Sequence, residues 1–479
     1  MDNIVHLKKK TVISALSLFF QSGYSAFLGL VANLVVTILL SPAIFGIYIT
    51  ALSIISLFNY FSDIGLAASL VQKKEITDDD IRTTFTVQQL LIIIIITVGF
   101  FATSFIRQFY KLPTEGVQLY WALLVAFFLS SLKTMPSIFL ERQVQFQKIV
   151  LVQIIENTVF YLTVIILAIL KFGLASFTIA VLCRSVIGVI VIYSISFWKP
   201  SVGISRVSLK KLLTFGIPFQ ASSFLALFKD DLITLYLGKV LGFTGLGYIG
   251  WAKKWAEAPI RIIMDNVSRV LFPVLARLQH DKEKIGQLIE KNLYYQTMLL
   301  APIMLGMIIL MKPFVQFIPR YAKWMPALPL FYLMSIAAFL SSYSTPFTNL
   351  FNALGEAKIS FFFMLFWTVI TWILTPILTK TYGFFGFPIT QVVLSLAFVL
   401  VLFQAKRLVN FRFWQSVYKT IIASIFMGAI ALLIKSLNLP IAATLVTVGV
   451  TGFICYLSIL FFLFKINVIS EIKSFFNYE

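Results

Sequence analysis

Charge is scarce in this chain. Only 12% of its 479 residues are Asp, Glu, Lys or Arg, and acids are scarcer than bases, 19 against 39. Soluble domains carry about a quarter of their residues as charges, and so few cannot cover a chain that is 59% hydrophobic. A water-soluble fold is thereby excluded. Histidine is nearly absent as well. His6 and His280 stand far apart with no cluster around either, which gives general acid-base catalysis little to work with. The two cysteines, Cys183 and Cys455, both fall inside apolar runs, so a disulfide scaffold and a cysteine metal site are both disfavoured. No G-x-x-x-x-G-K-[ST] loop occurs, which argues against direct use of ATP. Large hydrophilic loops are missing too, so no appended catalytic or recognition domain is expected.

What remains is a succession of apolar runs long enough to cross about 30 Å of hydrocarbon. About fourteen can be placed, the first near Ser14 and the last near Ala442. The expected fold is an all-α polytopic membrane protein of about fourteen transmembrane helices. Lys8-Lys9-Lys10 precedes the first run, which is long and has no A-x-A cleavage pattern, so it reads as an uncleaved first span. Alternate threading with the N-terminus cytoplasmic places most Lys and Arg on the inside. The expectation is therefore a bacterial cell membrane protein with both termini cytoplasmic. Its net charge of +20 is mostly interfacial under this threading, which suits anionic lipid headgroups and gives no support to nucleic acid binding.

The chain also echoes itself. Phe128-Leu129-Ser130-Ser131 with Pro136 returns as Phe339-Leu340-Ser341-Ser342 with Pro346, Lys148-Ile149 returns as Lys358-Ile359, and Gly173 as Gly383. More weakly, Leu40 to Gly46 aligns with Leu241 to Gly247. Two similar hydrophobic halves with an even number of spans each should be related by a pseudo-two-fold along the membrane normal. The expected organisation is an N-lobe of six spans (1–198), a cytoplasmic linker (199–211), a C-lobe of six spans (212–409) and a C-terminal helix pair (410–479).

Leu40-Ser41-Pro42, Phe45-Gly46, Asp63-Ile64-Gly65-Leu66 and Leu70-Val71-Gln72 resemble the opening signature of the polysaccharide transporter family. The second half resembles its other signature in Asp231-Leu232-Ile233, Leu246-Gly247-Tyr248, Ala258-Pro259, Phe272-Pro273-Val274-Leu275 and Leu278-Gln279-His280-Asp281. Ile38 stands where relatives often carry Arg, and Ala43-Ile44 replaces a usually acidic pair. The family belongs to the multidrug, oligosaccharidyl-lipid and polysaccharide exporter superfamily and includes Wzx-type O-antigen flippases. The resemblance implies two lobes of six helices and movement of undecaprenyl-diphosphate-linked oligosaccharide from the inner to the outer leaflet, for O-antigen, capsule or exopolysaccharide synthesis. Polysaccharide polymerase and chain-length machinery would be partners.

Ionisable side chains at bilayer depth mark polar paths. Lys254, Glu257, Arg261, Asp265 and Arg269 recur at spacings of three and four and share one helix face over about 22 Å. Two readings stand: salt bridges lining an aqueous cleft, or Lys254, Arg261 and Arg269 offered to a diphosphate, with Glu257 and Asp265 positioning them. Lys133 and Arg142 are further substrate-binding candidates. Asp63, Asp230 and Asp231 are supporting or ion-coupling candidates. Glu156 and Arg184 are read as a structural pair across neighbouring helices. No cofactor is expected, and proton, sodium or membrane-potential coupling stays open. A lipid II flippase and a multidrug exporter are the alternatives within the superfamily. A membrane polysaccharide polymerase is disfavoured by the lack of an acid, base or metal cluster, and the chain is read as a transporter, not an enzyme.

Overall fold

The computed structural model of the chain describes residues 2–437 and 439–466. Helices and turns make up its regular structure, with no strand among the described residues. That is the outcome hydrocarbon imposes, since a helix satisfies its own backbone hydrogen bonds without water. The burial pattern of a soluble protein is accordingly absent: large apolar side chains such as Phe101, Phe403 and Phe462 are exposed.

The chain forms two compact units. The first, Met1–Gly247, contains α1 (Asp2–Leu39), α2 (Pro42–Ser62), α3 (Leu66–Gln72), α4 (Asp78–Phe101), α5 (Thr103–Tyr110), α6 (Thr114–Leu132), α7 (Thr134–Arg142), α8 (Phe146–Ile169), α9 (Ala175–Ile195) and α10 (Arg206–Ala226). A π-helical turn (Leu227–Leu232) then leads into α11 (Ile233–Arg277). The second unit, Tyr248–Glu479, takes the rest of α11, then α12 (Lys282–Phe317), a 3-10 turn (Ala322–Ala327), α13 (Leu328–Ser342), α14 (Ser344–Ala353), α15 (Ala357–Tyr382), α16 (Gly386–Ser395), α17 (Phe398–Leu408), α18 (Phe413–Ser436) and α19 (Ile441–Ser458).

Eleven helical stretches among the described residues are long and apolar enough to cross a membrane, and a shorter one, Gly23–Leu39, precedes them. Fewer stretches than the fourteen expected passes arise for two reasons. The stretch Ala357–Leu408 runs through 52 residues although it turns at Gly383, whose φ is 59°. In addition, α10 opens with Arg206, Lys210 and Lys211, charges that keep it out of the apolar set.

The repeat has a structural counterpart. α6 ends at Leu132 and α7 starts at Thr134, while α13 ends at Ser342 and α14 starts at Ser344, so each F-L-S-S segment closes one helix and opens the next after a single residue. The hydrogen bonds repeat as well. Ser131 Oγ donates to the Phe128 carbonyl at 2.6 Å and receives Gln89 Nε2 of α4 at 3.1 Å; Ser342 Oγ donates to the Phe339 carbonyl at 2.6 Å and receives Gln296 Nε2 of α12 at 3.0 Å. Pro136 lacks the amide that would take the Leu132 carbonyl, and the Tyr193 hydroxyl donates to that carbonyl instead, at 3.1 Å.

Two backbone approaches tie α2 to the helices that follow α9, both inside the first unit. At the α1–α2 corner, a Cβ on Gly46 would lie 1.8 Å from the Phe243 carbonyl oxygen, and a Cβ on Gly247 would lie 2.0 Å from that of Pro42. Residues 42 and 46 are the repeat equivalents of 243 and 247, so the contact is reciprocal. Gly242, at φ 68° and ψ 178°, breaks α11 just before it. At the other end of α2, a Cβ on Gly65 would meet the Gly216 oxygen of α10 at 2.2 Å, and Gln220 Nε2 donates to the Tyr60 carbonyl at 2.8 Å.

In the second unit, α18 and α19 pack on α12, where the Tyr456 hydroxyl donates to the Met298 carbonyl at 2.8 Å. Several signature residues prove to be helix boundaries. Ser41 caps α2 with Pro42 in its first turn, and Asp281 caps α12 by accepting the Lys284 amide at 3.0 Å, which holds its carboxyl below the usual range.

Replacing Gln89 or Gln296 by Leu leaves a helix-joint serine without its donor. Each is expected to cost about 1–3 kcal/mol, by similar amounts if the joints are equivalent, measured by denaturation in detergent micelles.

Candidate functional site

Charge enters the apolar body in separate places. On α11, Glu257 is the centre of a short ladder: its Oε2 accepts from Arg261 Nη2 at 2.8 Å, and its Oε1 lies 3.9 Å from Lys253 Nζ. Lys253 was not singled out from the sequence, because i,i+4 spacing toward Glu257 competes with the more conspicuous stripe through Lys254. Lys254, Arg261 and Asp265 are exposed, while the side chain of Arg269 lies outside the described residues. Of the stripe, Glu257 and Arg261 are salt-bridged, and the guanidinium, with its side chain 70% exposed, has more donors than the one Glu257 takes.

A neighbouring side of α11 is fixed by aromatics. Trp251, fully buried, stacks on Trp324 at 5.6 Å between centroids, and its Nε1 donates to the Tyr321 hydroxyl at 2.8 Å. Trp255 meets Phe314 of α12 edge-on at 5.7 Å. Aromatic burial of this size is a strong anchor, and it leaves the charged residues on the remaining face. These aromatics read in sequence as ordinary apolar content.

Within the first unit, Glu156 of α8 is 4% exposed. It pairs with Lys133 at the α6–α7 joint, and its Oε2 lies 3.9 Å from Arg184 Nε of α9. Gly188 makes the room, since a Cβ there would sit 1.8 Å from Glu156 Oε1. The sequence pairs Glu156 with Arg184 of the next helix but offers Lys133 no acid close by in sequence, since Glu156 lies 23 residues on. Lys133 thus lies inside an ion-paired cluster.

Arg142 has a different role. Its guanidinium donates to four carbonyls, those of Leu70, Val71, Lys73 and Lys74, at 2.5 to 3.1 Å, so it closes the C-terminal end of α3. Asp63 accepts the Ala67 amide at 3.0 Å and fixes the turn between α2 and α3, where Ile64 and Gly65 both take positive φ. Asp230 and Asp231 lie on the π-helical turn before α11, a geometry often found at functional positions; Lys229 Nζ is 4.0 Å from Asp230 Oδ1. No cluster of metal-ligating side chains occurs among the described residues.

Residues 35–329 match the family model described as "Polysaccharide biosynthesis protein". The chain belongs to this family. Among characterised relatives, it is 25% identical over 366 residues to lipopolysaccharide biosynthesis protein WzxC of Escherichia coli (76% of this chain, 74% of that one). It is 22% identical over 335 residues to succinoglycan biosynthesis transport protein ExoT of Rhizobium meliloti (70% and 67%). Its fold resembles that of lipid II flippase MurJ in an inward closed conformation, with a TM-score of 0.74 over 95% of this chain and 99% of that one at 15% identity. A multidrug resistance MATE family transporter of the MOP superfamily scores 0.59 over 82% and 95%, at 16% identity. As a member of the polysaccharide biosynthesis family, the chain is a multi-pass membrane protein of the polysaccharide transporter type.

Removing Glu156 alone strands Lys133 in an apolar setting. Glu156→Ala is expected to cost about 3–5 kcal/mol, whereas the paired change Lys133→Met with Glu156→Leu recovers most of it. Unfolding of the three variants in detergent, as a double-mutant cycle, gives the comparison.

Proposed function

We propose that this protein is a flippase that carries undecaprenyl-diphosphate-linked oligosaccharide from the cytoplasmic to the outer leaflet for surface polysaccharide synthesis. The observation that carries the reading is the likeness of nearly the whole chain to a lipid II flippase fold in a chain of the polysaccharide biosynthesis family. An anionic lipid-borne headgroup and the exposed cations of α11 are chemically complementary. A multidrug exporter is the second reading, favoured only by the looser MATE likeness.

In this reading the sugar and diphosphate cross a wet path while the prenyl chain stays in lipid, which spares the polar head the hydrocarbon barrier. Arg261 meets a phosphate with its planar donor fork, and Glu257 holds the guanidinium in place. Lys254 adds charge on the same face, with Arg269 as a further candidate. Asp230 and Asp231, on the irregular turn, are the candidates for a coupling ion, and Asp265 supports the cations. Lys133 and Arg142 are engaged in the contacts described above and act by holding helices together. Both termini are cytoplasmic. The polymerase and chain-length machinery would act on the delivered lipid; no enzymatic step belongs to this chain.

Alternating access would use the glycine contacts at the two ends of α2, about 30 Å apart along the helix. The reciprocal Gly46 and Gly247 contact would close the outer end and the Gly65 and Gly216 contact the inner end, each parting in turn. The fold likeness to an inward closed flippase supports a cycle of this kind.

Two outcomes are expected. Arg261→Ala lowers transport while membrane insertion is kept, read as accumulation of one completed lipid-linked repeat unit by mass spectrometry of lipid extracts; wild-type lipid pools would remove Arg261 from the path. Gly46→Val or Gly247→Val forces the outer contact apart. A cysteine at Thr50, with Cys183 and Cys455 replaced by Ala, should then react faster with an impermeant maleimide added outside; unchanged labelling would contradict the assignment of that contact as the outer closure.

A further inference from the structure

The F-L-S-S repeat supplies an internal control for α7 and α14. Counting from the paired prolines Pro136 and Pro346, Met135, Ile138, Phe139 and Arg142 of α7 correspond to Thr345, Thr348, Asn349 and Asn352 of α14. These four positions share one face of a helix, an arc of about 100° over about 10 Å. In the first unit that face is taken. Met135 and Ile138 are buried with Leu66 and Leu70 of α3, Phe139 packs on the same cluster, and Arg142 donates to the carbonyls that end α3.

In the second unit the helix turns a different side to the core. Phe347 and Phe351, both fully buried in a cluster with Leu271 and Leu275 of α11, stand where α7 has Ser137 and Glu141. The face that α3 covers in the first unit is polar here: Thr345, Thr348 and Asn349 are partly buried and Asn352 is exposed. Asn349 Nδ2 is buried with no hydrogen-bond partner among the described residues, and the Thr348 hydroxyl donates within the helix, to the Thr345 carbonyl at 2.9 Å. All four residues lie in the last turns of the apolar span Ala322–Ala353. A carboxamide turned to hydrocarbon there would leave its donors and acceptor unmet.

The chemistry of the strip narrows its occupant. No charged residue occurs from Trp324 to Gly355, so the strip has no cation to hold a phosphate. Two carboxamides and two hydroxyls are too polar to lie against a prenyl chain. A carboxamide presents donors and an acceptor side by side, and the neighbouring hydroxyls of a sugar both accept and donate.

We propose that the α14 strip of Thr345, Thr348, Asn349 and Asn352 binds the saccharide of the cargo, with Asn349 and Asn352 hydrogen-bonding to its hydroxyls. The proposal rests on the flippase reading and divides the headgroup between two helices of the second unit. Arg261 of α11 takes the diphosphate, and α14, which shares a core with α11 through Leu271 and Phe347, takes the sugar.

The test titrates full-length protein in lipid nanodiscs with two lipids, bare undecaprenyl diphosphate and the same carrier bearing the repeat unit that accumulates in cells lacking this protein. Native mass spectrometry reads the binding. N349L/N352L is expected to weaken binding of the glycosylated lipid about tenfold or more, the loss of two hydrogen bonds, and to leave binding of the bare carrier unchanged, whereas Arg261→Ala weakens both. N349Q/N352Q keeps the carboxamides and should bind the glycosylated lipid better than the Leu pair does. Equal weakening of both lipids by N349L/N352L, no weakening of either, or Gln and Leu pairs that behave alike would overturn the saccharide face and leave the flippase reading standing. A folded wild-type protein that binds neither lipid would overturn the flippase reading and the saccharide face with it.

Discussion

A polar group carried into hydrocarbon must bring its partner with it, because no water is there to replace one. That constraint accounts for much of the local architecture. Glu156 enters the apolar body only in company with Lys133 and Arg184, and Gly188 is small because the carboxylate occupies the space a side chain would need. Arg142 gives its donors to the carbonyls that end α3. The threonines of the apolar helices, such as Thr50, Thr297 and Thr447, return their hydroxyls to carbonyls four residues back. Against this background the α11 face is different in kind, since Arg261 and Lys254 remain exposed on a helix anchored by buried tryptophans.

The duplicated sequence is expressed chiefly at joints. A serine in each F-L-S-S segment bonds back to its own helix and receives a glutamine from another, so the same pair of hydrogen bonds recurs at both single-residue joints. Gly46 and Gly247 each admit the other's backbone at equivalent positions. A contact of backbone on backbone has no flexible side chain to yield, so it is either made or parted. That property suits a closure with two states, and two such contacts stand at opposite ends of α2.

Much of this was legible in the sequence. Scarce charge and long apolar runs gave the fold class, and the F-L-S-S echo showed two related halves, while its place at helix joints emerges only in the structure. The signature residues Ser41, Pro42 and Asp281 were visible as motifs, though their physical role as helix starts appeared only in the structure. The charged stripe of α11 was legible from its spacing, but Lys253 was not, since periodicity alone cannot say which of two adjacent lysines turns toward Glu257. Lys133 shows the deeper limit. Its partner lies on a helix 23 residues away, and which cations around Glu156 reach it depends on packing, which local pattern does not encode. The same holds for Arg142, whose four carbonyl partners belong to a segment about seventy residues earlier.

The central claim is that this chain moves a lipid-linked oligosaccharide across a bilayer by itself. The most direct measurement is flipping in proteoliposomes containing only the purified protein and a fluorescent polyprenyl-diphosphate oligosaccharide, with leaflet position read by an impermeant quencher. Protein-dependent movement of label from one leaflet to the other, faster than in empty vesicles under at least one of a proton gradient, a sodium gradient or a membrane potential, is the result this account predicts. Rates equal to those of empty vesicles under all three, with the protein folded and correctly inserted, would contradict it.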